Sequence, residues 1–154
     1  FFSLVLSQPY DRISVATVIR HAGIARSTFY EHYRDKDALL ADSLAMPFAP
    51  LADAVLPQSP IPPLAGALAH FHDNRRMALG ILHGGFGRRA GVVLAAMIEQ
   101  RLRSCGPLPV PAGVVALQVA AMQLATIGAW LDGRISGTAG DVARVVARGS
   151  RALA

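Results

Sequence analysis

Between Arg26 and Lys36 the chain gathers side chains suited to a duplex nucleic acid: Arg26, Ser27, Thr28, Tyr30, His32 and Lys36, with Thr17 upstream. An arginine guanidinium can fork onto guanine O6 and N7, serine and threonine meet bases or phosphates, and a threonine methyl meets the thymine methyl. Tyr30 and His32 suit phosphate oxygens. Lys36 opens a helix whose N-terminal dipole adds to its charge in holding a phosphate, and Thr17, in the first turn of an earlier helix, is a further phosphate contact. The alternative for each of these residues is a solvated helix face.

No other set of residues points as clearly to a chemistry. His70 and His72 stand two apart and share no helix face; with His83, a single cysteine and no clustered carboxylates they make no metal site, and no cofactor is expected. Gly84-Gly85-Phe86-Gly87 lacks the Lys-Ser/Thr of a phosphate loop and follows no strand, so it reads as a break between helices. Neither a nucleophile elbow nor an acid–base carboxylate pair is present, so an enzyme is not expected. Cys105 reads as a helix-end residue, with redox sensing as the alternative. Arg88 and Arg89 either hold an acidic ligand or start a surface helix.

The elements that position the first set are short helices. Ser14 stands as an N-cap before the apolar stripe Val15, Val18 and Ile19. Gly23 ends that helix in a left-handed conformation. A second helix is expected over about 26–33, and Asp35 caps a third from Lys36 to about Met46. Ala16, Ile19 and Ala22 are small or apolar where the first two helices meet; Ile24 is expected to plug the turn into the core, and Phe29 and Tyr33 to anchor the second helix. Two short helices crossing steeply at a glycine form a helix-turn-helix. Ala25 leaves the second helix without a side-chain cap, a local cost of about 1 kcal/mol. Upstream, Phe1 to Ser7 reads as the end of an amphipathic helix whose start precedes Phe1, and Pro9-Tyr10-Asp11 as a turn.

Pro47, Pro50, Pro57, Pro60, Pro62 and Pro63 then mark a hinge between a head, 1–46, and a second domain, 47–154. Further helices are expected over about 62–73, 74–83, 88–104, 112–132 and 139–152, making the chain all-α. With 53% hydrophobic and 16% charged residues the chain is not disordered by composition and can bury a large core. A net charge of +5 suits an anionic partner. The single cysteine permits no internal disulfide, which fits the cytoplasm, and Phe1 to Leu6 lacks the basic region and cleavage site of a signal peptide. From Ser104 to Leu131 no residue is charged, long enough for a membrane span. Pro107, Pro109 and Pro111 break its first third and Gln118 and Gln123 interrupt the rest, so a helix buried in a core or dimer interface is expected instead.

The order Ile13-Ser14-Val15 to Ile19, Ala22-Gly23-Ile24, Ser27-Thr28-Phe29-Tyr30-Glu31-His32-Tyr33 and Lys36-Asp37-Ala38-Leu39-Leu40 resembles the TetR family of bacterial transcriptional regulators. The close match covers about a quarter of the chain. The resemblance implies a three-helix head on a helical ligand-binding and dimerisation domain. It implies a sequence-specific regulator, a repressor that a small molecule releases from its double-stranded operator. It also implies a homodimer through residues 112–152, whose last two long helices pair with their copies. The residues agree on one point: Val114 to Leu131 is too apolar for a solvated helix, and Val142, Val145 and Val146 add a second stripe. Phe71, Met77, His83, Phe86, Met97, Met122, Gln123 and Trp130 are the candidates for a ligand pocket, each with ordinary core packing as the alternative. A helical adaptor or a small all-α enzyme without DNA binding is the rival function. The head sets Asp11, Glu31, Asp35 and Asp37 against Arg12, Arg20, Arg26, Arg34 and Lys36, so a modest nonspecific DNA affinity is expected.

Overall fold

Three side-chain caps fix where helices start. Ser14 Oγ accepts from the Thr17 amide at 3.1 Å, Asp35 Oδ1 from the Ala38 amide at 2.8 Å, and Thr138 and Asp141 cap each other reciprocally. The hydroxyl and amide of Thr138, and then Arg144, hold the Asp141 carboxyl below the usual carboxylate range. In the computed structural model, which describes residues 1–82 and 84–154, these caps open three of a series of helices, and no strand occurs among the described residues. In chain order they are α1 (Phe2–Ser7), a 3-10 turn (Tyr10–Arg12), α2 (Val15–Ala22), α3 (Arg26–His32), α4 (Lys36–Asp53), α5 (Ile61–Asp73), α6 (Arg75–Leu82), α7 (Gly84–Ser104), α8 (Ala112–Leu131) and α9 (Ala139–Leu153).

Three local expectations are corrected. α4 does not stop near Met46 but continues through Pro47 and Pro50 to Asp53. Each interior proline costs a helix about 3 kcal/mol. Burial of Phe48, Leu51 and Ala52 on the same helix offsets that cost. Gly84 to Gly87 is not a break between helices but the first turn of α7. Phe86 is buried there, and Ala90, Leu94 and Ile98 follow it at helical spacing, so core burial outweighs the weak helix propensity of glycine. Ile24 does not plug the turn: it is 39% exposed, beside Gly23 at a φ of 66°. The head's core is filled instead by Tyr10, Ile13, Val18 and Phe29.

α8 is long and apolar enough to cross a membrane by length and composition. Its face of Val115, Val119, Gln123, Ile127 and Leu131 is buried in the core, against α7 above all and also α9. Gln123 fixes the register: its amide nitrogen donates to the Leu51 carbonyl on α4 at 3.0 Å and to Ser150 Oγ on α9 at 2.9 Å. α5 packs along α9, and α4 along α7, where Arg101 reaches Asp53 at 2.7 Å. α4 therefore belongs at its start to the head and at its end to the body.

Candidate nucleic-acid interface

α2 ends on Gly23 in the left-handed region, and the chain turns directly into α3. Phe29 is the buried anchor of α3, with the Tyr30 and Tyr33 rings 5.4 and 5.7 Å from it. Tyr33 closes the far end by donating to Asp42 Oδ2 on α4 at 2.7 Å. That carboxylate, together with burial, raises the Tyr33 hydroxyl above its ordinary pKa. At the near end Ala25 provides no side-chain cap. Ser3 Oγ lies 3.0 Å from His21 Nε2 and ties α1 to α2.

With Phe29 turned inward, Arg26, Ser27, Tyr30 and His32 are exposed and Thr28 is half-buried. The Arg26 guanidinium lies over the Tyr30 ring at 5.4 Å, which holds both side chains on the outer surface of the helix. Thr17 is half-buried at the start of α2, its hydroxyl 2.9 Å from Ser14 Oγ. Lys36 sits differently from the rest. Its ammonium donates to the carbonyls of Tyr10 at 3.0 Å and Ile13 at 2.9 Å, and it lies 4.4 Å from the Tyr10 ring centre. Two of its three protons thus bind the turn before α2, leaving one for a phosphate.

The same turn joins the head to the body. The Tyr10 hydroxyl donates to Asp37 Oδ1 at 2.6 Å, and Asp37 also receives Arg89 of α7 at 3.2 Å. Phe86 of α7 meets the Tyr10 ring edge-on at 5.6 Å. Burial, and then the hydrogen bond and charge of Asp37, push the Tyr10 phenol well above its ordinary pKa. No local pattern marks this junction, because its members lie 27 and 52 residues apart. Arg89 is thereby placed against a head carboxylate, while Arg88 is exposed.

A cavity of about 360 Å³ lies among α1, α4, α5, α6 and α8. Leu44, Leu51, Ile127 and Leu131 form its fully buried end, and the exposed Met46, His70 and Asn74 stand at its open side. Of the residues singled out for a pocket, Phe71 and Met77 line it. Phe86 lies instead on Tyr10, and Met97 is half-buried on α7. Met122 sits against Gly149 and Gln123 bridges α4 and α9. Trp130 donates to the Gly137 carbonyl at 2.9 Å and stacks near His72 at 5.0 Å. His83 lies outside the described residues. Pro47, Pro50, His70 and Asn74 also line the cavity, though none of them stands out in the sequence as a pocket residue. Cys105 is exposed after α7.

Residues 3–42 match the family model of bacterial regulatory proteins, tetR family. No curated protein matches the chain at a significant level. Among solved structures, a TetR transcriptional regulator from Streptococcus agalactiae 2603V is similar over 97% of this chain and 88% of its own, with 25% sequence identity and a TM-score of 0.55. The match at the head and the likeness along the helical body agree with the α2–Gly23–α3 geometry: residues 3–42 match the DNA-binding head of the TetR family of transcriptional regulators, and the chain as a whole is similar in fold to one of them.

Proposed function

We propose that the protein is a cytoplasmic homodimeric repressor that a small molecule releases from its operator, and that it is not an enzyme. The observation that carries the reading is α3, which is pinned from behind by Phe29 and Tyr33 and presents Arg26, Ser27, Thr28 and Tyr30 outward. Arg26, Ser27 and Thr28 read base edges. Thr17, Tyr30, His32 and the remaining proton of Lys36 hold phosphates. The head is residues 1–46, and the regulatory and dimerisation domain is 47–154.

Support for the dimer comes from α8 and α9. Val114, Leu117, Ala121 and Ala125 recur at helical spacing on the exposed side of α8, and Val145 is 61% exposed on α9. An apolar stripe of this kind fits a second copy of the same chain. Leu117→Arg leaves the core untouched and is expected to turn a dimer into a monomer in sedimentation at micromolar concentration. A wild-type monomer would remove this part of the reading.

The cavity supports the release step. α6 forms one of its walls and leads into α7, whose first turns carry Phe86 and Arg89 to Tyr10 and Asp37. A ligand that shifts α6 thus pulls on the turn ahead of the reading unit, and it biases the head only to the extent that it binds one arrangement better. DNase I footprinting on the DNA upstream of the gene tests the whole reading. Two protected half-sites are expected, with centres about 34–36 Å apart or a multiple of that. No protection at low salt, where phosphate contacts are strongest, would overturn it.

A further inference from the structure

We infer that the cavity takes an uncharged, largely apolar molecule bearing a hydrogen-bond donor, a hydroxyl or N–H, which is held by the backbone carbonyls of Ser43 and Met46. The inference rests on the ligand-responsive reading and specifies its chemistry.

The described residues that line the cavity include no Asp, Glu, Lys or Arg. A charged ligand would leave its water without a counter-charge, which is a large cost. The wall is otherwise aliphatic, aromatic or proline, with three polar side chains: Ser43, His70 and Asn74.

The polar atoms there are mostly acceptors. Pro47 and Pro50 lie inside α4 and have no backbone N–H, so the Ser43 and Met46 carbonyls cannot receive their normal helical partners four residues on. Ser43, Met46, Pro47 and Pro50 all line the cavity, so both carbonyls fall on the stripe of α4 that faces it. The Ser43 hydroxyl spends its proton on the Leu39 carbonyl at 2.7 Å and offers lone pairs only. The Asn74 amide nitrogen donates to the His70 carbonyl at 2.9 Å and lies 3.3 Å from His70 Nδ1, which leaves its oxygen to accept. Carbonyls without their helical donors keep free acceptor capacity beside an apolar wall, and a ligand donor placed there gains a hydrogen bond that an apolar ligand cannot make. The prolines therefore make the specificity: they open acceptors in an otherwise apolar wall. The volume lies at the small end of the range for small-molecule sites, about 300–1,000 Å³.

Three probes of one ring system separate the classes: 2-naphthol, 2-methoxynaphthalene and 2-naphthoate, titrated into the full chain by calorimetry. 2-Naphthol is expected to bind about three- to tenfold more tightly than its methyl ether and more than tenfold more tightly than the carboxylate. Pro47→Ala and Pro50→Ala return the missing N–H groups and favour the helix, so these variants are not expected to fail to fold. In the double variant the preference for naphthol over the ether should fall towards one while the ether still binds. Ala67→Trp, which fills the lining, should abolish binding of all three. Equal binding of naphthol and ether, tighter binding of naphthoate, or an unchanged preference in the double variant would overturn the donor-bearing class and leave the ligand-responsive reading standing. Failure of all three probes to bind would overturn both.

Discussion

Replacing Tyr10 with Phe removes one hydroxyl and keeps the ring. That hydroxyl donates to Asp37 at 2.6 Å, and hydrogen bonds to a charged acceptor are worth about 1.5–3 kcal/mol. The Asp37 side chain is 48% exposed, so water takes over part of the lost contact, and the expected loss is about 1–2 kcal/mol. The ring keeps its edge contact with Phe86, so packing cancels from the difference. The pH dependence is more telling. Burial and Asp37 raise the Tyr10 pKa in the fold. A raised folded pKa gives stability that is complete below the unfolded value, about 10, and is lost as pH rises towards the folded one. The wild-type advantage over Tyr10→Phe is thus constant from neutral pH to about 9, then shrinks by up to about 1.4 kcal/mol per pH unit above 10. The other tyrosines are common to both proteins, so the difference isolates Tyr10. Urea unfolding followed by far-UV circular dichroism measures it, at fixed protein concentration because a dimer's stability depends on concentration. Equal midpoints at neutral pH, or a gap that persists undiminished at about pH 11, would refute the reasoning.

Two further changes probe the frame around the site. A Cβ on Gly87 would fall on the Leu82 carbonyl, its carbon only 2.7 Å away, so Gly87→Ala should destabilise the protein by about 2–3 kcal/mol as the α6–α7 corner opens; thermal unfolding at the wild-type midpoint would contradict the close approach. Lys36→Met keeps the stem but loses both carbonyl contacts, so stability should fall by about 2 kcal/mol along with DNA affinity. A fall in DNA affinity alone, across all sequences, would mean that the ammonium serves phosphate only.

The head was legible because its signals are local. Ser14, Gly23 and Asp35 act on residues within one turn of themselves, and each sits in the structure where its chemistry places it. Phe29 was legible by contrast with its polar neighbours. Ile24 was misjudged because hydrophobicity alone does not say which way a left-handed turn aims the next side chain. The extent of α4 was hidden by Pro47 and Pro50, whose local cost is evident in sequence while the compensating burial of Phe48 and Leu51 is not. The cavity was legible only through Phe71 and Met77. Its other walls come from five helices, and large apolar residues such as Phe86 and Trp130 look alike whether they line a void or fill the core. The Tyr10–Asp37–Arg89 junction depends on pairing across the fold, which no periodicity records.

The most direct test of the central claim is fluorescence anisotropy of labelled upstream DNA and of a scrambled duplex of equal length, at one fixed salt concentration. The protein should prefer its own site by about a thousandfold or more. Arg26→Ala should lose much of that preference, while Tyr30→Ala weakens binding to both duplexes alike. Equal affinity of the wild-type protein for the two duplexes would contradict sequence-specific reading by α3.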